Sequence, residues 1–299
     1  MYKVEIDYSP VYELITSLYT YLDSTGRQIN ELGNKWVKDV QKNLDPEFVE
    51  ELKDQKLEVL HRLNLLVWQC PKKDTIDHFL AWLEELPSSE VYMLLVPWVQ
   101  HIPRDMIEIH TYFVSLLRKW SQQYFRHLQP EILEALRRDA QQKEKLITKM
   151  DPVELVEMST NGIQIVSPHV KKLLLIPQYH QSPFSVTDYY DGLITCLYPV
   201  DVKDSDSSLP KKIGRQLKSL SDDKRLQILR YLHAQPRTFS EIQQFTGLSK
   251  SNTHYHIKLL RTSGLIRAYH NSVRVESYSF REGTITHLHD VLTNFVKGE

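Results

Sequence analysis

Residues 238–264 read TFSEIQQFTGLSKSNTHYHIKLLRTSG, and they decide the fold of the C-terminal third of the chain. Thr238 and Glu241 form a T-x-x-E capping box, which starts a helix by satisfying orphan backbone N–H groups. Ile242 and Phe245 supply the apolar stripe of that helix. Gly247 stands where a short turn needs a residue without a Cβ. Ser249 is the expected N-cap of a second helix and Gly264 its expected C-cap.

The second helix has two unlike faces. At about 100° per residue, Thr253, Ile257 and Leu260 share one side, with His256 at its edge. Lys250, Ser251, Asn252, His254, Tyr255 and Lys258 surround the other. That face holds no carboxylate, as a helix lying between phosphates requires. The bland alternative is a surface helix of a small bundle. Leu265–Ala268 and Val273–Phe280 follow as β-rich segments joined by Tyr269-His270-Asn271-Ser272, a hairpin signal. Helices followed by a hairpin predict a winged helix, with Arg267, His270 and Arg274 on or near the wing, where a cation reaches phosphate.

The segment from about Lys211 to Phe280 resembles the winged-helix domain of the ArsR family of bacterial transcriptional regulators. The residues that carry the resemblance are Asp222, Arg225, Ile228 and Leu229, then Ser240, Glu241 and Ile242, then Ser249, His256, Leu260, Gly264 and Leu265. The resemblance implies DNA binding as a homodimer and covers under a third of the chain. Metal sensing does not carry over. The helix before the recognition helix has no cysteine. His287, His289 and Asp290 on the last helix lack a downstream His/Glu pair, and His287 and His289, like His254 and His256, are two apart and point apart on a helix. No metal and no cofactor are expected.

The chain has 299 residues, 41% hydrophobic and 25% charged, enough for two domains with their own cores. No apolar run of transmembrane length and no signal-peptide pattern occurs, so a cytoplasmic protein with no membrane partner is expected. Cys70 and Cys196 are far apart and read as buried thiols. The net charge of −1 conceals an asymmetry: residues 211–299 hold 15 Lys+Arg against 7 Asp+Glu, and residues 1–210 hold 22 against 31. A basic module on an acidic body is the footprint of a DNA-binding domain.

The rest of the chain reads as mainly α with small β elements. KVEIDY at 3–8 is a short strand. Helices are expected over 11–24, 27–43, 47–68, 73–85, 89–100, 104–127, 130–149 and 152–159, with prolines at or before several starts. GIQIVSP, VKKLLLIP and GLITCLYP, between 160 and 200, are β-type runs expected to join the 3–8 strand in a short antiparallel sheet. The domain division is 1–200 for a helical (α+β) sensor or interaction domain, 201–210 for a polar linker, and 211–299 for the winged helix-turn-helix. This layout resembles bacterial regulators with a large helical N-terminal region and an ArsR-like C-terminal domain.

Nothing points to an enzyme. The nine glycines are never closer than seven apart, which excludes G-x-G-x-x-G, G-x-x-x-x-G-K and G-x-S-x-G. No two histidines are four apart, which excludes H-E-x-x-H. Aromatics crowd the stretch 68–125. Core packing explains most of them, and Trp98, His110, Tyr112, Trp120 and Tyr124 could line an effector pocket. The reading is a DNA-binding transcriptional regulator, a repressor, that binds duplex DNA at a roughly palindromic operator as a homodimer, with an N-terminal domain that responds to an effector the sequence does not name. The segments 211–220 and 284–297 could carry dimerisation, the latter through Ile285, Leu288, Leu292, Phe295 and Val296. The competing readings are a protein-interaction adaptor and an enzyme fused to a DNA-binding module.

Overall fold

The computed structural model describes residues 2–25, 29–53, 60–100, 102, 106–202 and 209–298, the side chains of 106–109 apart. The chain divides into two compact units: Tyr2–Lys145 with His169–Val200, and Leu146–Pro168 with Asp201–Glu299. The expected helices over 27–43, 47–68 and 104–127 and the expected linker at 201–210 each fall partly outside the described residues.

The N-terminal unit is built on a four-stranded sheet ordered β1–β3–β5–β4, from β1 (Lys3–Ile6), β3 (Lys172–Gln178), β4 (Val186–Tyr189) and β5 (Leu193–Pro199). β1 pairs parallel with β3, β3 parallel with β5, and β4 antiparallel with β5. The expected antiparallel sheet is therefore corrected to a mixed one. The physical reason lies in burial. Leu173–Ile176 and Leu193–Cys196 are fully buried, near-continuous apolar runs interrupted by Thr195, typical of parallel strands covered on both faces.

Helix α1 (Pro10–Leu22) is the centre of this unit. Ser9 caps it by accepting from the Val11 N–H, and Pro10 occupies the first turn, where no donor is needed. Val11, Tyr12, Leu14, Ile15, Leu18 and Tyr21 are all buried. Around α1 pack α4 (Leu60–Gln69), α5 (Ile76–Glu85) and α7 (Met106–Gln123), and α1 also meets β3. Helices α2 (Gly33–Gln41), α3 (Pro46–Lys53) and α6 (Ser88–Leu95) complete the helical layer, while α8 (Pro130–Glu144) packs on β3 and β1. Cys70 and Cys196 are buried free thiols.

The C-terminal unit holds α9 (Pro152–Ser159), β2 (Ile163–Ile165), α10 (Lys211–Leu220), α11 (Asp223–Ala234), α12 (Phe239–Thr246), α13 (Lys250–Thr262), β6 (Ile266–His270), β7 (Val275–Phe280) and α14 (Thr284–Lys297). Its core joins Ile228, Leu229 and Leu232 of α11 to Ile242, Ile257 and Leu260 and to the hairpin residues Ile266, Ala268 and Tyr278. Burying each of these larger side chains contributes roughly 1.5–3 kcal/mol. Strand β2 pairs parallel with β6, so GIQIVSP is a strand of the wing and not of the N-terminal sheet. That pairing explains why residues 146–168 belong with the C-terminal unit. Gly162 makes it possible, with φ +115 and a carbonyl that accepts from Ala268 N at 2.8 Å.

Candidate nucleic-acid interface

The helix–turn–helix is assembled by local hydrogen bonds. Thr238 accepts from Glu241 N, and the Glu241 carboxylate accepts from Thr238 N at 2.8 Å, closing the capping box at the start of α12. Gly247 ends α12 in the left-handed region at φ 66, and its N–H returns to Gln243 O. Ser249 then caps α13 by accepting from Asn252 N. Thr253, Ile257 and Leu260 are buried, which fixes the rotation of α13 about its axis. Phe245, expected on the apolar stripe of α12, instead stands half exposed and stacks on Tyr231 at 4.1 Å.

The rotation of α13 brings Lys250, Ser251, Asn252, His254 and Tyr255 to the outer surface, with Lys258 half-buried beside them. His254 lies against the Phe239 ring at 4.2 Å, which restrains it. Tyr255 is 51% exposed. No acidic residue occurs in α13, so its outer face presents donors, a phenol and ammonium groups to whatever it meets.

The motif residues of the ArsR-like pattern serve the frame of this domain. Asp222 caps α11 by accepting from Arg225 N at 2.9 Å. The Arg225 guanidinium is buried and donates to the carbonyls of Ser219 and Lys218 at the end of α10, where cations satisfy the helix dipole. His256 is turned toward Asp222, 3.8 Å away, and not toward the outer face of α13.

The wing is placed differently from the sequence expectation. β6 runs on through His270, so the turn is made by Asn271, Ser272, Val273 and Arg274, all exposed. His270 is buried in the sheet, and burial together with the nearby Arg261 charge pushes its imidazole down to about 3. It therefore does not project from the wing. Arg267 is likewise turned inward: its Nε donates to both oxygens of Glu157 at 3.0 Å. Arg281 Nε reaches the same carboxylate at 3.0 Å. Burial pushes the Glu157 carboxyl up, but its bonds to Arg267, Gln164 and Arg281 outweigh that and hold it below the usual range. Of the three residues expected on the wing, Arg274 alone stands at its tip. Glu157 was legible as an acid in a short helix, but nothing in its neighbourhood signals partners more than a hundred residues away.

Of the residues expected around an effector pocket, Trp120 and Tyr124 meet, with ring centroids 4.8 Å apart, whereas Trp98, His110 and Tyr112 have other neighbours. Trp120 is fully buried in the core and donates to Ser17 at 2.9 Å. Trp98 packs edge-on against Trp68, and Tyr112 against Phe113. His110 lines a cavity of about 530 Å3 beside the Glu84–Arg118 ion pair. Tyr124 lines a separate open cleft of about 620 Å3 with Trp36 and Tyr179. Behind that cleft lies a buried chain that sequence reading missed: His180 Nδ1 is 2.5 Å from Glu13 and its Nε2 is 2.6 Å from the Tyr124 hydroxyl. A carboxylate inside the apolar run VYELITSLYTYL was its available signal, since a buried acid needs a partner.

The helix-turn-helix domain family matches residues 220–268, from the end of α10 into β6. No curated protein and no solved structure matches the chain. With the antiparallel β6–β7 hairpin following the matched helices, the C-terminal unit is a winged helix-turn-helix, a class of DNA-binding module. No helix among the described residues is long and apolar enough to cross a membrane.

Proposed function

We propose that this protein is a cytoplasmic transcriptional regulator of ArsR-like type, acting as a repressor, whose α13 enters the major groove of duplex DNA. The observation that carries the reading is the outer face of α13, where Lys250, Ser251, Asn252, His254 and Tyr255 are exposed together on a helix without a carboxylate. Asn252 is suited to bidentate pairing with adenine, and Lys250, Lys258 and Arg274 to phosphate. Arg267 is left out of the contact set because Glu157 holds it.

A homodimer would present two α13 helices to half-sites about one helical turn apart, so the operator is read as roughly palindromic. α14 offers a surface for it: Leu288 is buried in its own domain, while Ile285, Phe295 and Val296 are exposed. The N-terminal unit would modulate DNA affinity by binding an effector with different strength in two dimer arrangements. No catalytic role is assigned.

The experiment is selection of bound fragments from a genomic library, followed by titration at several salt concentrations. Sequence-selective binding whose log affinity falls by about 0.9 per log unit of salt for each neutralised phosphate supports the proposal. Failure of selection, with the chain capturing no fragment above background, contradicts it.

A further inference from the structure

Phe239 opens α12, and His254 stands just over one turn into α13. Their rings lie close to parallel, 30° apart, with centroids at 4.2 Å. Each ring is carried by backbone that other bonds hold in place. On the Phe239 side, the capping box ties Thr238 to Glu241. Arg237 exchanges two backbone hydrogen bonds with Tyr278 of β7, at 2.8 and 2.7 Å. Phe239 itself is half-buried and packs on the core of the domain. On the His254 side, the neighbouring Thr253 is buried and its hydroxyl donates to Ser249 O at 3.0 Å, while Ile257 is buried one turn on. The stack therefore joins two fixed elements.

The Phe239 ring covers one face of the imidazole and leaves its edge. His254 is exposed, and among the described residues neither of its ring nitrogens has a hydrogen-bond or ion-pair partner. His256, two positions on, is instead turned toward Asp222. An exposed histidine without such a platform samples several rotamers, and ordering it during binding costs affinity. Phe239 removes part of that cost in advance. An imidazole donates a hydrogen bond from its edge in either protonation state. α13 also carries Lys250, Lys258 and Arg261 and no carboxylate, so a base edge rich in acceptors suits this face. In the major groove guanine presents two neighbouring acceptors, N7 and O6, whereas adenine presents N7 beside a donor.

We propose that His254 reads a guanine in the major groove by donating from its ring edge to N7, and that Phe239 is the positioning residue for that contact. The proposal rests on the regulator reading above. It gives His254 a base of its own, apart from the adenine suited to Asn252.

The test uses the full chain and a DNA fragment that it selects. Each guanine of the fragment is replaced in turn by 7-deazaguanine, which lacks the N7 acceptor. The expected result is that the parent protein loses roughly threefold to tenfold in affinity at one guanine per half-site, the size of one hydrogen bond. Phe239→Leu should bind the unmodified fragment severalfold more weakly, bind scrambled DNA as the parent does, and no longer distinguish 7-deazaguanine at that position. Phe239→Tyr keeps a ring and should restore the distinction, and His254→Ala should abolish it. A parent protein indifferent to 7-deazaguanine throughout overturns the proposal, as does full discrimination in Phe239→Leu. In the free protein the carbon-bound ring protons of His254, assigned by their loss in His254→Ala, should be shifted upfield by the Phe239 ring current. Ordinary shifts overturn the positioning role even if Phe239→Leu fails to fold. A chain that selects no DNA refutes the regulator reading and this proposal with it, whereas selective binding without N7 dependence refutes this proposal alone.

Discussion

Arg267 of the wing and Glu157 of α9, 110 positions apart in sequence, meet through two 3.0 Å contacts from one Nε to both carboxylate oxygens. With Arg281 on the same acid and β2 paired to β6, they fasten α9 and β2 to the winged helix. The wing is thereby built from two distant stretches of chain.

Glu157→Gln should loosen that attachment. The variant keeps the size of the side chain but leaves two half-buried guanidinium groups without their counter-charge. A cost of about 1–2 kcal/mol is expected, at the low end for a charged hydrogen-bond network because the site is partly solvated. Hydrogen exchange should show earlier opening of β2 than of β7. Unchanged protection of β2 would refute the fastening role.

Gly162→Ala and Gly247→Ala should differ in severity. At Gly162 a Cβ would stand 2.5 Å from the Ile266 carbonyl oxygen, at φ +115, so the β2–β6 register must give. A loss of roughly 2–4 kcal/mol is expected from strain and clash together. At Gly247 a Cβ meets nothing within 4 Å, and only the left-handed backbone at φ +66 is costly, about 1 kcal/mol. Chemical denaturation of both variants checks the order, and an equal loss would contradict it.

Acid should destabilise the C-terminal unit in two steps. The His270 imidazole is pushed from an ordinary 6.5 down to about 3, so between those values the unfolded chain binds a proton that the folded one does not. Stability therefore falls as pH drops below 6.5. Glu157 is held below its ordinary 4.5, so its contribution is present above that value and is lost as pH falls through the lowered one. His270→Gln should remove the upper step and Glu157→Gln the lower. A pH profile of unfolding midpoints that keeps both steps in both variants would assign them elsewhere.

Tyr124→Phe should strip the shared hydroxyl from Trp36 and His180. Leaving the buried His180 and the half-buried Trp36 short of a partner costs about 1–3 kcal/mol. Thermal unfolding read through tryptophan fluorescence follows it, and a midpoint equal to that of the parent protein would show that the chain of bonds contributes nothing.

What was legible in the sequence was what is local. The capping box at Thr238 and Glu241, the turn at Gly247 and the two faces of α13 depend on residues within a few positions of one another, and each stands where the spacing put it. The strand GIQIVSP was legible as a strand, but its alternation is the same whichever sheet receives it. Pairing β2 with β6 is a long-range choice settled by packing. The same holds for Arg267, whose type and place in a hairpin suggest phosphate until Glu157 is seen beside it. Tyr124 was recognisable as an aromatic near a pocket, whereas its link to Glu13 through His180 joins three positions that no periodicity connects.

The most direct test of the central claim is fluorescence anisotropy of the full chain on a selected DNA fragment and on a scrambled one, with Asn252→Ala and Arg274→Ala beside the parent. DNA entry by α13 predicts that Asn252→Ala loses about 1–3 kcal/mol on the selected fragment and little on the scrambled one. Arg274→Ala should weaken both alike and lower the salt slope by about 0.9. Equal affinity of parent and both variants on both DNAs would contradict the claim that α13 and the wing form the DNA-binding face.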